Sequence, residues 1–153
     1  MKIIADMIET HVFCLGKDGL KFLLLKRSDL EIYPGLWQMV SGHIDENETA
    51  VEAALRELKE ETGLVPIKFW VAPNVNSFYS PDNDSISVIP VFAALVNEDS
   101  KVVISDEHSE YTWVDSTEAK KILAWDGQRK SVGLIEEYFL REFKFLQFTE
   151  VNL

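Results

Sequence analysis

One cysteine among 153 residues, Cys14, leaves no partner for an internal disulfide. The three histidines, His11, His43 and His108, have none of the spacings of a zinc site, which leaves them structural or incidental roles. A reducing, cytoplasmic setting is the expectation. Positive charge is scarce: 15 Lys and Arg stand against 26 Asp and Glu, a formal net charge of −11. That is the wrong sign for gripping nucleic-acid phosphates or an anionic membrane surface. It would repel a polyphosphate too, unless a bound cation reverses the local sign. No apolar run approaches the length of a membrane span, about 20 residues. Asp6 and Glu9 interrupt the first apolar stretch, so no signal-peptide core is expected there. No repeat or linker-like tract divides the chain. Residues 1–153 therefore read as one domain, with a core large enough to need no disulfide or structural metal.

Ile8 to Leu15 and Lys21 to Lys26, separated by Gly16-Lys17-Asp18-Gly19, predict a β-hairpin. Ser28 to Gly35 reads as a loop leading to a short strand at Leu36 to Val40. Ile67 to Phe78 and Ser85 to Val96 predict a strand pair joined by the turn-rich Ser80 to Asp84, and a last strand is expected near Tyr111 to Val114. Thr49 and Glu52 have the spacing of a capping box, and Gly63 stands where a helix ends. Between them Val51, Ala54, Leu55 and Leu58 recur at helical spacing, so Thr49 to Thr62 is a predicted helix. A second helix is expected from about Gln128 to Lys144, with Val132, Ile135, Phe139 and Phe143 on its core face. Strands with helices packed on them give an α/β layered sandwich around a mixed sheet.

Glu57, Glu60 and Glu61 fall on one side of the first helix, away from its apolar stripe. A solvated acidic face is the ordinary meaning of such a run. Two costs count against it here. Like charges at these spacings repel, and the last turns of a helix already present partial negative charge. A divalent cation relieves both penalties, and carboxylate oxygens are what hard Mg²⁺ or Mn²⁺ selects.

Residues 42 to 64 read GHIDENETAVEAALRELKEETGL. This segment resembles the Nudix box, G-x5-E-x7-R-E-U-x-E-E-x-G-U with U apolar. Gly42, Glu48, Arg56, Glu57, Leu58, Glu60, Glu61, Gly63 and Leu64 fill every defined position. The resemblance implies the Nudix α/β/α sandwich and a metal-assisted hydrolase of diphosphate linkages. It implies catalytic roles for Glu57, Arg56 and Glu48, with Glu57 as metal ligand or general base and Arg56 holding Glu48 or Glu57 by a forked hydrogen bond. The implied ligands of Mg²⁺, or Mn²⁺, are Glu57, Glu60, Glu61 and the Gly42 carbonyl. Gly42 is further expected to allow an unusual backbone turn.

Outside the box, Trp37 to Gly42 resembles the approach to it in dATP and dihydroneopterin triphosphate pyrophosphohydrolases. Glu107 to Val114 resembles a segment those enzymes share with diadenosine tetraphosphate hydrolases, which makes Glu107 an expected further metal ligand. Trp125 to Arg129 resembles the first group, except that Gly127 stands where Asn is expected. Arg27 and Ser41 are expected to contact substrate, and Tyr79 to stack on a flat ring. The expected partner is a small nucleotide-like diphosphate, with no nucleic acid and no membrane, in a monomer or homodimer. Three readings follow: a pyrophosphohydrolase of nucleoside or pterin triphosphates, a dinucleoside polyphosphate hydrolase, and a non-catalytic nucleotide sensor. The intact box weighs against the last.

Overall fold

Alternating side chains along the first long strand create two cores. In the computed structural model, which describes all 153 residues, strand β2 (Met7–Gly16) sends Ile8, Val12 and Cys14 to one apolar cluster and Phe13 to another. Successive strand residues point to opposite faces, so one buried strand feeds both layers. Its neighbours are β1 (Lys2–Ile4), β3 (Gly19–Arg27), β4 (Trp37–Gln38), β5 (Val40–His43), β6 (Lys68–Ser80), β7 (Ser85–Leu95) and β8 (His108–Val114). The central path runs β1-β7-β2-β3-β4, while β5 pairs with β2, β6 with β7 and β8 with β3. The pairs β1–β7 and β2–β7 are parallel and the rest antiparallel, so the sheet is mixed as expected.

Helix α1 (Ala50–Thr62) covers one face and α3 (Asp126–Arg141) the other, which makes the α/β/α sandwich. Both ends of α1 are fixed locally. Thr49 accepts from the Glu52 N–H while Glu52 accepts from the Thr49 N–H at 2.8 Å. At the other end Gly63 adopts φ 72°, a left-handed conformation that glycine takes at least cost, and its N–H bonds the Lys59 carbonyl. Ala53, Ala54 and Leu58 pack fully buried beneath the helix, and Leu58 alone contributes roughly 1.5–3 kcal/mol by leaving water.

Several elements differ from expectation. The single strand at Leu36 to Val40 is two, β4 on β3 and β5 on β2, because Met39 turns the chain between neighbours on opposite sides. Strand β1 and helix α2 (Ser116–Ile122) are additions too short to show a period; α2 starts where Asp115 accepts from the Glu118 N–H. Helix α3 stops at Arg141, and Phe143 begins a separate turn, α4 (Phe143–Leu146), with its ring mostly exposed. No helix is long and apolar enough to cross a membrane.

Candidate active site

The acids of α1 face the short strand β5, which β2 holds in register by pairing Ile8 with Gly42 and Glu9 with Ser41. Gly42 is placed there for room rather than for a turn. Its backbone is not left-handed, correcting the expectation of an unusual conformation. A Cβ at Gly42 would instead collide with the Glu57 carboxylate and its adjoining carbon. Glu57 thus lies flat against β5, with its carboxylate mostly shielded from solvent.

Arg56 ties the acids together. Its Nε and Nη2 donate in parallel to the two Glu48 oxygens at 2.8 Å, the forked geometry expected of guanidinium. Nη1 donates to Glu57 at 2.7 Å, and Nη2 also reaches the His43 carbonyl at 2.9 Å. That grip holds the Glu48 carboxyl down to about 2. Burial outweighs the same guanidinium at Glu57 and pushes its carboxyl above the ordinary range. Glu60 receives only a 3.3 Å contact from Arg56 and stays largely in solvent, the most exposed acid of the box helix face.

Glu61 is the most demanding group. It is 2% exposed, and its Oε2 has no hydrogen-bond partner. Burial first, then the negative Glu57 and Glu107, push its carboxyl up to about 9, against the opposing pull of the Ser41 N–H and Arg27. A buried carboxylate with a bare oxygen is costly unless a proton or a cation joins it. This is not a solvated acidic face. Glu107, just before β8, brings a second carboxylate oxygen within 4.8 Å of Glu61 and of a His108 ring nitrogen. An orphaned buried oxygen ringed by carboxylates suits a hard divalent cation, Mg²⁺ or Mn²⁺. Glu61 and Glu107 could hold it, with Glu57 near enough for its charge to act on Glu61.

The remaining expected residues divide. Arg27 lies close enough for its charge to act on Glu61 and His108, while its Nε donates to the Ile32 carbonyl at 2.6 Å and its Nη1 to Gln38. Ser41 touches the cluster through its backbone; its side chain leaves the sheet on the face of its partner Glu9. Tyr79 does not join the site. It lies toward the distal end of β6, where its hydroxyl reaches Asp84 of the same hairpin, because the long β6–β7 ladder carries it away from β5. His43 is exposed against Asp6, and His11 is buried on the α3 face.

Five residues without an expected site role make further polar contacts nearby. His108 follows Glu107 directly, and Gln38 reaches His108 from β4. On the α3 face, buried Glu9 accepts hydrogen bonds from Asn76 and, at 3.4 Å, from Gln128. A glutamate amid the apolar Ile8 to Leu15 run was the one signal for this group. Gly127 packs here because a Cβ would strike Asn76.

Comparison with known proteins bears on the family and the fold. The chain is 32% identical over 99 residues to an octanoyltransferase of Myxococcus xanthus, but that match spans only 28% of the longer protein. It is 25% identical to the dihydroneopterin triphosphate diphosphatase of Escherichia coli, over 84% of this chain and 91% of that one. It is 29% identical to the asymmetrical bis(5'-nucleosyl)-tetraphosphatase of Rattus norvegicus, over 74% and 76% of the two chains. A Nudix hydrolase structure from Listeria monocytogenes superposes with a TM-score of 0.76 at 24% identity, covering 90% of this chain and 95% of that one. The NUDIX domain itself matches residues 7–134, which include every acid of the cluster, and this chain belongs to the Nudix hydrolase family.

Proposed function

We propose that this enzyme hydrolyses nucleoside or pterin triphosphates to the monophosphate and pyrophosphate, using Mg²⁺ held by Glu57, Glu61 and Glu107. The observation that carries the reading is the orphaned Glu61 oxygen beside Glu107 and close to the Glu57 charge. A bound divalent ion would neutralise phosphate charge and make phosphorus more open to attack. That also overcomes the repulsion of a chain carrying −11.

The residues of the chain supply the rest. Arg56 keeps Glu48 ionised and fixes the direction of both Glu48 and Glu57. Glu57, pointed by Arg56, would take the proton of the attacking water. The water oxygen forms the new bond to the ring-side phosphorus. The bridging P–O bond breaks and its electrons leave with pyrophosphate. Arg27 adds a fixed positive charge for a further phosphate.

For the ring, exposed Trp125 and Tyr33 meet edge to face at 6.2 Å just before α3. They replace Tyr79 as the aromatic surface, and the Glu9, Asn76 and Gln128 group supplies polar partners suited to a ring edge. Similarity to the Escherichia coli diphosphatase, over nearly the whole of both chains, supports a triphosphate. The rat relative, named for dinucleoside tetraphosphates, supports the second reading. A panel of dATP, dGTP, dihydroneopterin triphosphate, diadenosine tetraphosphate and ADP-ribose in Mg²⁺ separates them. The expected result is highest kcat/KM for a triphosphate with pyrophosphate released. A tenfold lead for the dinucleotide or ADP-ribose, about 1.4 kcal/mol of transition-state preference, would overturn the substrate assignment.

A further inference from the structure

His108 is grouped with Glu61 and Glu107 as closely as a metal ligand would be, within 4.8 Å. Hydrogen-bond chemistry assigns it another part. Arg27 can only donate, and its Nη1 meets Gln38 Oε1 at 3.1 Å. The Gln38 amide is therefore fixed with its carbonyl toward Arg27 and its NH₂ toward His108. That NH₂, again purely a donor, lies 2.9 Å from His108 Nε2. Nε2 must accept, so a neutral ring carries its proton on Nδ1. With one nitrogen engaged by Gln38 and the other protonated, neither lone pair is free for a cation.

His108 Nδ1 and Glu61 Oε2 are both buried without a hydrogen-bond partner, not even each other, although a His108 ring nitrogen and a Glu61 oxygen lie within 4.8 Å. The first is a donor and the second an acceptor. His108 is 5% exposed and Glu61 2%, so water is a poor substitute for either. We propose that Arg27 and Gln38 lock His108 as the Nδ1–H tautomer, making it a positioning residue whose N–H is offered to the neighbouring Glu61 carboxylate, rather than a metal ligand. Resting on the proposed metal-dependent reading, this adds a relay from β3 through β4 to β8 that orients an acid of α1.

The test uses the intact ¹⁵N-labelled protein without substrate, so it stands even if no triphosphate is hydrolysed. Two-bond ¹H–¹⁵N correlation spectra should show His108 Nδ1 protonated and Nε2 bearing the lone pair, before and after Mg²⁺ is added. An Nε2–H tautomer, or an Nε2 signal that becomes metal-bound on titration, overturns the proposal. Mn²⁺ binding by calorimetry gives a second reading. His108→Asn keeps an N–H close to the Nδ1 position and should bind Mn²⁺ within about threefold of the parent. His108→Leu should bind about tenfold more weakly or worse, the usual scale for losing an outer-sphere partner of a metal ligand. Equal affinity in the parent and His108→Leu, with both folded by circular dichroism, overturns it. Gln38→Leu frees the ring, and retention of pure Nδ1–H in that variant removes the relay from the assignment.

Discussion

The Glu57 carboxylate occupies the space that any side chain at position 42 would need. Gly42 does not hold a left-handed backbone, so alanine is tolerated there by the main chain and excluded only by Glu57. Gly42→Ala should therefore leave folding nearly intact while pushing Glu57 off β5. We expect kcat to fall by on the order of 10² or more, the scale of a misplaced acid–base group. Circular dichroism and steady-state kinetics together check this. A variant with parental kcat would mean that the Glu57 position is not needed.

Arg56 serves Glu48, Glu57 and the His43 carbonyl at once. Lysine keeps the charge but offers one compact ammonium in place of a fork. Arg56→Lys should lower kcat/KM by about 10–100-fold through loss of acid placement and lower Tm by a few degrees. If the variant matches the parent in both, positive charge alone is what the position supplies.

Removing metal should stop turnover while leaving the fold in place, because both apolar clusters are built without it. Excess EDTA is expected to abolish hydrolysis with little change in the near-ultraviolet spectrum. Glu61→Gln replaces a buried acid whose carboxyl is pushed up to about 9 with a neutral isostere. Its metal-free stability should hold or rise slightly, while Mg²⁺ affinity drops. Clear destabilisation of metal-free Glu61→Gln would mark the cluster as structural.

His11 gives the fold a defined acid weakness. It is 1% exposed with Nε2 unpartnered, and burial holds its imidazole down to about 3 from 6.5. Its folded-state value is the lower one, so the unfolded chain takes the proton first. The stability tied to neutral His11 is full above pH 6.5 and is lost as pH falls toward about 3. The slope is at most about 1.4 kcal/mol per pH unit. Urea unfolding of the parent and His11→Leu at pH 7, 5.5 and 4.5 should show the gap between them shifting in the variant's favour as pH falls. A constant gap would remove His11 from the acid response.

The sequence by itself determined whatever depends on neighbours a few residues apart. Thr49, Glu52 and Gly63 bound α1 through contacts of three or four residues, so its ends were legible before any fold. Its helical spacing also put Glu57 and Glu61 together, whereas the Arg56–Glu48 fork needed the loop before Thr49 to fold back on the helix. The tertiary structure decided everything that crosses the sheet. Pairing of β5 with β2 set Glu57 on Gly42, and pairing of β8 with β3 carried Glu107 and His108 to Glu61. Tyr79 was lost to the site because β6 runs along β7 to the far hairpin, which no local pattern reveals. Gln38 gained its contacts with Arg27 and His108 only when the chain split Leu36 to Val40 into two strands. Local capping and periodicity act along the chain, whereas burial of a charge and completion of a hydrogen-bond relay depend on strand register, which is fixed only when distant segments pair.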